Sequence, residues 1–473
     1  MDATETETEI AYAGLAGQAE LIRSREISAR ELTQTLLKRI ERLDPTLNAF
    51  RIVLYDEALA EAAARDRDTD QAAQTDERKP LHGVPIAIKD ELDVAGQLTT
   101  FGGAARTKAA PADSEPVRRL RAAGAVIIGK TRMPEFGQFP FTESAAGGYT
   151  RNPWDVTRTP GGSSGGTAAA VAAGLTAAGM GGDGGGSIRI PAACCGLFGL
   201  KPQRGRVSMP DIWHALGTVG PLTRTVLDSA LIYDAIRGSL PSDRYRAREP
   251  ATTFVEAAQT EPRRLKIALS ARPATLGVRL APEQRGALER TAATLRDLGH
   301  EVREVELRYP SLEPAFVPQF YGGVRDEAAT VERPDLLERR TKQTLALARL
   351  FPPRVVNWAV GHGERLAAKI NRIFDEHDLL LTPTIPSVPR SLGALDGVGS
   401  LHASLRAVPY VSYTATWNVC GNPAASVPAG STQAGLPLAV QLVAPPDDEV
   451  TLFAVAAQLE RAAPWAGRRP PVG

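Results

Sequence analysis

The chain has 473 residues, 43% hydrophobic and 23% charged, the composition of a folded globular protein with a large core and not of a disordered or fibrous one. Lysines and arginines number 55 and acids 54, so the net charge of +1 offers no field that would draw the chain to nucleic acid or an anionic membrane, and a small neutral partner fits better. Cysteine is limited to three residues, and the adjacent Cys194 and Cys195 neither staple a fold nor make a metal site.

Buried reduced thiols suit a cytoplasmic protein, and the acidic start MDATETETEIAYAG lacks the basic and apolar stretches of a secretory signal. The uncharged run from Thr159 to Gly182 approaches a membrane span in length. Gly, Ser and Ala dominate it, so transfer to lipid would gain little.

In chain order, Ser28-Ala29-Arg30-Glu31 has capping-box spacing and opens an amphipathic helix carrying Leu32, Leu36, Leu37, Ile40 and Leu43, with a stop expected at Asp44-Pro45. An Ala-rich helix follows from about Asp56 to Arg67, then a surface loop from Asp68 to Lys79. Val84 to Lys89 reads as a buried strand ending on a lysine. Ser114-Glu115-Pro116 opens a helix that Gly124 closes, and Ala125 to Ile128 is again a strand. The segment Thr150 to Lys201 is Gly-rich and nearly free of long side chains, as for a backbone that must approach something closely. Within it a helix from about Thr167 to Ala173 and a strand from Leu175 are expected. Beyond lie a strand at Leu265 to Leu269, a helix at Pro282 to Leu298 and an alternating strand at His300 to Leu307. A strand at Leu379 to Leu381 and a closing helix at Glu449 to Arg461 complete the reading.

Several motifs invite other readings. Gly124 to Thr131 matches the phosphate-loop pattern letter for letter, but its interior is β-branched and follows a helix, where a phosphate loop follows a strand. Gly179 to Gly184 fits a dinucleotide fingerprint in a segment so rich in glycine that the match carries little weight. Gly161-Gly162-Ser163-Ser164-Gly165 fits a nucleophile elbow and would make Ser163 the nucleophile of a Ser/His/Asp esterase. That needs His377 or His402 as base, and His377 sits in a charged cluster more natural to a solvated helix end. His82, His214, His300 and His362 show no metal-ligand spacing, and no metal or cofactor is expected.

What stands out is a pair of serines embedded in glycine, Ser163 and Ser187. Glycines before a serine let consecutive N–H groups converge on one point, as an oxyanion hole requires; a tight packing seam is the bland alternative. A serine hydroxyl needs a base. Lys89 at the end of an apolar strand is the best candidate, because desolvation disfavours its ammonium form, unless it simply reaches from the strand end to solvent.

These segments, Leu81 to Asp90 and Pro160 to Pro202, strongly resemble the amidase-signature family. The resemblance extends through Asp113 to Gly137, Asn152-Pro153-Trp154, Gly220 to Arg224, Leu380 to Thr384 and Gly421 to Gln441, and is weakest between about Ile236 and Glu376. It implies a Ser/cis-Ser/Lys triad, with Ser187 as nucleophile, Ser163 as bridging serine after a cis peptide and Lys89 as base. It further implies oxyanion donors at Gly184, Gly185, Gly186 and Ser187, support from Ser164, Asp183 and Arg189, and an acyl pocket bordered by Gly137, Gln138 and Phe139. Gly182 departs from the family pattern, where threonine or serine is usual, and Cys194 departs where a bulkier residue often stands.

The implied fold is α/β, a single large amidase-signature domain with a mixed, mostly central β-sheet covered by helices on both faces. N-terminal helices are expected to about residue 80, the signature core over about 81–235, a helical elaboration over about 236–376 and a C-terminal part over about 377–473. The implied activity is hydrolysis of a linear carboxamide through an acyl-enzyme. Alternatives are an amidotransferase A-type subunit, against which Met209 to Val219 speaks, the esterase above, or a silent binding protein. The partner expected is a small-molecule amide substrate, with no nucleic acid and no membrane, and a homodimer stays open. Trp213, Phe316, Phe320 and Tyr321 are read as core in preference to a pocket lining.

Overall fold

The computed structural model describes residues 3–72, 79–209 and 213–473. One mixed sheet of eleven strands runs through them: β1 (Phe50–Val53), β2 (Pro85–Lys89), β3 (Val126–Thr131), β4 (Ala178–Gly182), β5 (Phe198–Lys201), β6 (Val219–Thr223), β7 (Lys266–Leu269), β8 (Glu301–Glu304), β9 (Leu379–Pro383), β10 (Ala424–Ser431) and β11 (Pro437–Val443). Their spatial order is β1-β3-β2-β4-β6-β5-β10-β11-β9-β7-β8. β3, β2 and β4 are mutually parallel, as are β9, β7 and β8, and the strands between pair antiparallel.

Because strand side chains alternate between faces, neighbouring residues serve different cores. Ile267, Leu379, Leu381, Val440 and Leu442 join the main core with Leu452, Phe453 and Leu459 of helix Glu449–Ala462 and Leu288 and Leu295 of helix Pro282–Asp297. On the other face Ala268, Leu380 and Val443 pack with Trp417, and Leu222 and Ala439 pack with Ile190 of helix Arg189–Cys195 and Tyr410 of helix Ser400–Val411. Helices therefore cover both faces.

Ser28 closes its capping box with Glu31, but the helix continues through Pro45 to Leu47 where a stop at Asp44-Pro45 was expected. A proline in the last turn removes one N–H bond only, and the chain is closed instead by Asn48 in the left-handed region and by Asp44, which accepts from the N–H groups of Ala49 and Phe50. The next helix, Tyr55–Ala72, takes in the start of the expected loop; residues 73–78 lie outside the described residues, as do 210–212 of the Met209 to Val219 stretch. The helix near Ser163 is Gly165–Ala172. The strand after it begins at Ala178 and not Leu175, because Gly174, at φ +66°, turns the chain first. Between residues 236 and 376 the helices Glu313–Ala328, Arg339–Ala348 and Pro353–Ile370 are joined by β7 and β8, which form one edge of the main sheet.

The phosphate-loop match is strand β3, where the Lys130 ammonium is buried 3.0 Å from Asp90 and donates to Thr99 Oγ1 at 2.6 Å. No helix among the described residues is long and apolar enough to cross a membrane, and no group of three potential ligands could hold a metal ion among them.

Candidate functional site

Parallel strands deliver their following loops to one edge of the sheet, the place where open α/β folds hold ligands. β2 and β4 lie side by side with Ile88 opposite Met180, so Lys89, the last residue of β2, comes level with the loop that leaves β4 at Gly182. That loop runs through Asp183 to Ser187 and into helix Arg189–Cys195. The Gly161 to Ser164 segment, which leads into helix Gly165–Ala172, is fastened to it by Ser164, whose N–H donates to Ser187 O at 3.3 Å and whose hydroxyl donates to Gly182 O at 3.2 Å. Lys89, Ser163 and Ser187 thus line one cavity of about 550 Å³.

Lys89 is fully buried and its Nζ donates to Ser163 Oγ at 2.8 Å. The Gly162–Ser163 peptide is cis. Burial pushes the lysine below its ordinary pKa, while Glu91, whose carboxylate is 3.0 Å away, and more distant Asp183 oppose it. The Ser187 hydroxyl makes no hydrogen bond to a described residue. Gly137 lines the cavity at φ +64°, and a Cβ there would stand 3.1 Å from Ser163 Oγ; Gln138 and Phe139 line it beside Gly137.

Asp183 organises the loop. Its carboxylate is buried against Arg189 at 3.0 Å and accepts from the N–H groups of Gly186 at 2.6 Å and Ile188 at 3.1 Å and from the Asn418 amide at 2.9 Å. Burial alone would raise its pKa, but Arg189 and Asn418 outweigh it and hold the group well below the usual carboxylate range. Arg189 in turn donates to Gln441, Asn418 and the Thr414 carbonyl. One expectation changes here: the Gly186 N–H points at Asp183 and is not free for a substrate oxygen, because the loop is wound around that carboxylate. The N–H groups of Gly184, Gly185 and Ser187 have no protein acceptor among the described residues.

Trp213, Phe316, Phe320 and Tyr321 all line the cavity, and Trp213, Phe316 and Phe320 also pack against buried apolar clusters, so the reading as core holds for one side of these rings and misses the side that faces the cavity. Their rings form a connected wall, Trp213 to Phe320 at 5.4 Å, Phe316 to Phe320 at 6.2 Å and Phe320 to Tyr321 at 5.4 Å between centroids. A Cβ on Gly185 would meet Phe316 at 3.2 Å, so this wall stands directly over the serine loop. Neither His377, bonded to the Ile373 carbonyl, nor the exposed His402 lines the cavity, which leaves the esterase reading without a base.

Residues to which the sequence assigned no role include Glu91, signalled only by standing two places after Lys89, Asn418, without a local signal, and Gln441, marked only as the end of a resembling segment; the last two are more than 200 residues from Asp183. Glu327 is another. Burial, offset by Arg106 and reinforced by Glu91, pushes its carboxyl up to about 7. Between the ordinary carboxylate range and that value the folded protein holds a proton that the unfolded chain has released, so this stability is lost as pH rises toward 7. Glu327→Gln, neutral at every pH, is expected to change the melting temperature little at about pH 5 and to raise it at about pH 8. Melting curves of both proteins at both values check this, and an equal difference at the two would contradict it.

A model of the amidase family matches residues 31–453, and the chain belongs to that amidase-signature family of hydrolases acting on amides. A candidate amidase of Mycobacterium tuberculosis, AmiB2, is 47% identical over 98% of this chain and 99% of its own. Among solved structures, 6-aminohexanoate cyclic dimer hydrolase is similar at TM-score 0.90 and 32% identity, covering 98% of this chain and 99% of that one. A bacterial aryl acylamidase is similar at 0.85 and 29%, covering 97% and 99%.

Proposed function

We propose that the chain hydrolyses a linear carboxamide with an apolar acyl group, through an acyl-enzyme on Ser187 and a proton relay of Ser163 and Lys89. The observation that carries this reading is the buried Lys89 Nζ 2.8 Å from Ser163 Oγ, in a cavity that Ser187 shares. With Nζ uncharged, the Ser163 hydroxyl donates to it and accepts the Ser187 proton as Ser187 Oγ bonds to the amide carbon. Negative charge moves to the carbonyl oxygen, where the N–H groups of Gly184, Gly185 and Ser187 are the available donors. The Lys89 ammonium returns its proton through Ser163 to the leaving nitrogen as the C–N bond breaks. Water, deprotonated by the same relay, then cleaves the ester and restores Ser187. The missing contact to the Ser187 hydroxyl does not oppose this, since catalytic hydrogen bonds often tighten only once substrate is present.

The acyl group is assigned to the aromatic wall. Phe316→Ala is expected to raise KM for aryl and long-chain amides by about 10- to 100-fold, the effect of losing one buried aromatic contact, and to leave short aliphatic amides nearly unchanged. Release of ammonia or amine from such a panel, without added metal or ATP, measures it. A uniform change across the panel would remove Phe316 from substrate contact.

A further inference from the structure

We propose that Glu91 is the positioning partner of Lys89, that its carboxylate occupies the space a side chain at residue 182 would fill, and that this Glu91–Gly182 arrangement sets the pH range in which Lys89 acts. The proposal rests on the reading of Lys89 as the base.

Glu91 Oε2 is 3.0 Å from Lys89 Nζ, while Oε1 is buried with no hydrogen-bond partner among the described residues. Oε1 stands in the space that a side chain at residue 182 would need. A Cβ on Gly182 would stand 2.0 Å from Glu91 Oε1, 2.9 Å from Cδ and 3.3 Å from Oε2, and these are its three nearest atoms. Gly182 is not among the residues of positive φ, so its backbone accepts an L side chain and the Glu91 carboxylate is the obstacle. The carboxylate is the far end of a flexible side chain and would swing away from both Gly182 and Lys89. The glycine, which conformation does not require, is accounted for by the acid it accommodates.

A carboxylate beside a catalytic lysine acts twice. At rest it favours the ammonium form and so raises the pH needed to free the base; during reaction it pairs with the ammonium that forms when Nζ takes the Ser163 proton. The other charges around the pair are Asp183 from the serine loop, Glu327 from helix Glu313–Ala328 with Arg106 against it, and Asp93. Asp90 is turned away to Lys130 and Arg51.

The test is the pH profile of kcat/KM for wild type, Glu91→Gln, Gly182→Ala and the double variant, with melting temperatures recorded alongside. Glu91→Gln is expected to move the acid limb to lower pH by about 1 to 3 pH units, the effect of removing one adjacent opposite charge. It is also expected to lower the alkaline plateau on the order of tenfold, because the base is weaker and its cation unpaired. Gly182→Ala should move the limb the same way, and the double variant should keep the limb position of Glu91→Gln, since the side-chain amide that the added methyl then displaces carries no charge. An acid limb unmoved by either substitution, or two shifts that simply add, would overturn the proposal. A structural role alone would lower the plateau and the melting temperature and leave the limb in place. Lys89→Ala separates the two readings: if it keeps turnover, the relay itself is wrong, whereas its inactivity together with an unmoved limb in Glu91→Gln condemns this inference only.

Discussion

Ser187→Ala is expected to lower kcat/KM for any amide the protein cleaves by on the order of 10⁶-fold, and Lys89→Ala by a comparable factor. The size follows from the arrangement. Lys89 is buried on Ser163, Ser163 belongs to the segment fastened to the serine loop, and among the described residues no histidine lines the cavity to replace either. Groups that act as one relay fail together, so the double variant should be no worse than either single one. Steady-state kinetics on the best substrate of the panel measure all three. Additive losses would mean that Lys89 works apart from Ser187, and full activity in Lys89→Ala would remove it from the chemistry.

Arg189→Met is expected to cost about 3 to 5 kcal/mol of folding stability, the loss that follows when one member of a buried ion pair is removed and the other stays charged. Asp183 and Arg189 have no exposed side-chain surface, and the guanidinium also ties Gln441, Asn418 and the Thr414 carbonyl to the loop. Asp183→Asn combined with Arg189→Met should recover part of the loss, because the uncompensated charge is gone. Activity should fall in both variants, since Gly186 and Ile188 hang from the Asp183 carboxylate and Ser187 lies between them. Denaturant midpoints followed by circular dichroism give the stabilities; a midpoint within error of wild type for Arg189→Met would show that the pair does not hold the loop.

The legible parts of the sequence were local. Val84 to Lys89 shows a buried strand by composition, Ser28 to Glu31 a helix start by spacing, and the glycine runs around Ser163 and Ser187 a backbone in close approach; the structure carries all three. What stayed hidden depends on distant partners. Trp213, Phe316, Phe320 and Tyr321 are apolar whether they fill a core or face a cavity, and only the packing of helix Glu313–Ala328 over Gly185 and of Trp213 over Gly184 places them at the site. Asn418 reaches Arg189 from helix Ala415–Cys420 and Gln441 from β11. The Gly186 N–H looked like an oxyanion donor because the motif counts glycines and does not show which way each peptide turns. Gly182 departs from the family pattern in the sequence itself, but the carboxylate of Glu91 that stands against it is brought there only by the register of the two strands.

The central claim, that Ser187 carries the acyl group, is tested most directly by trapping it. The protein is mixed with a slowly turned-over aryl amide, quenched in acid within the first turnovers and analysed by intact-mass and peptide mass spectrometry. The account predicts one added acyl group on the peptide bearing Ser187, absent in Ser187→Ala and slow to form in Lys89→Ala. An adduct on Ser163, or product formed with water while no residue is ever acylated, would contradict it.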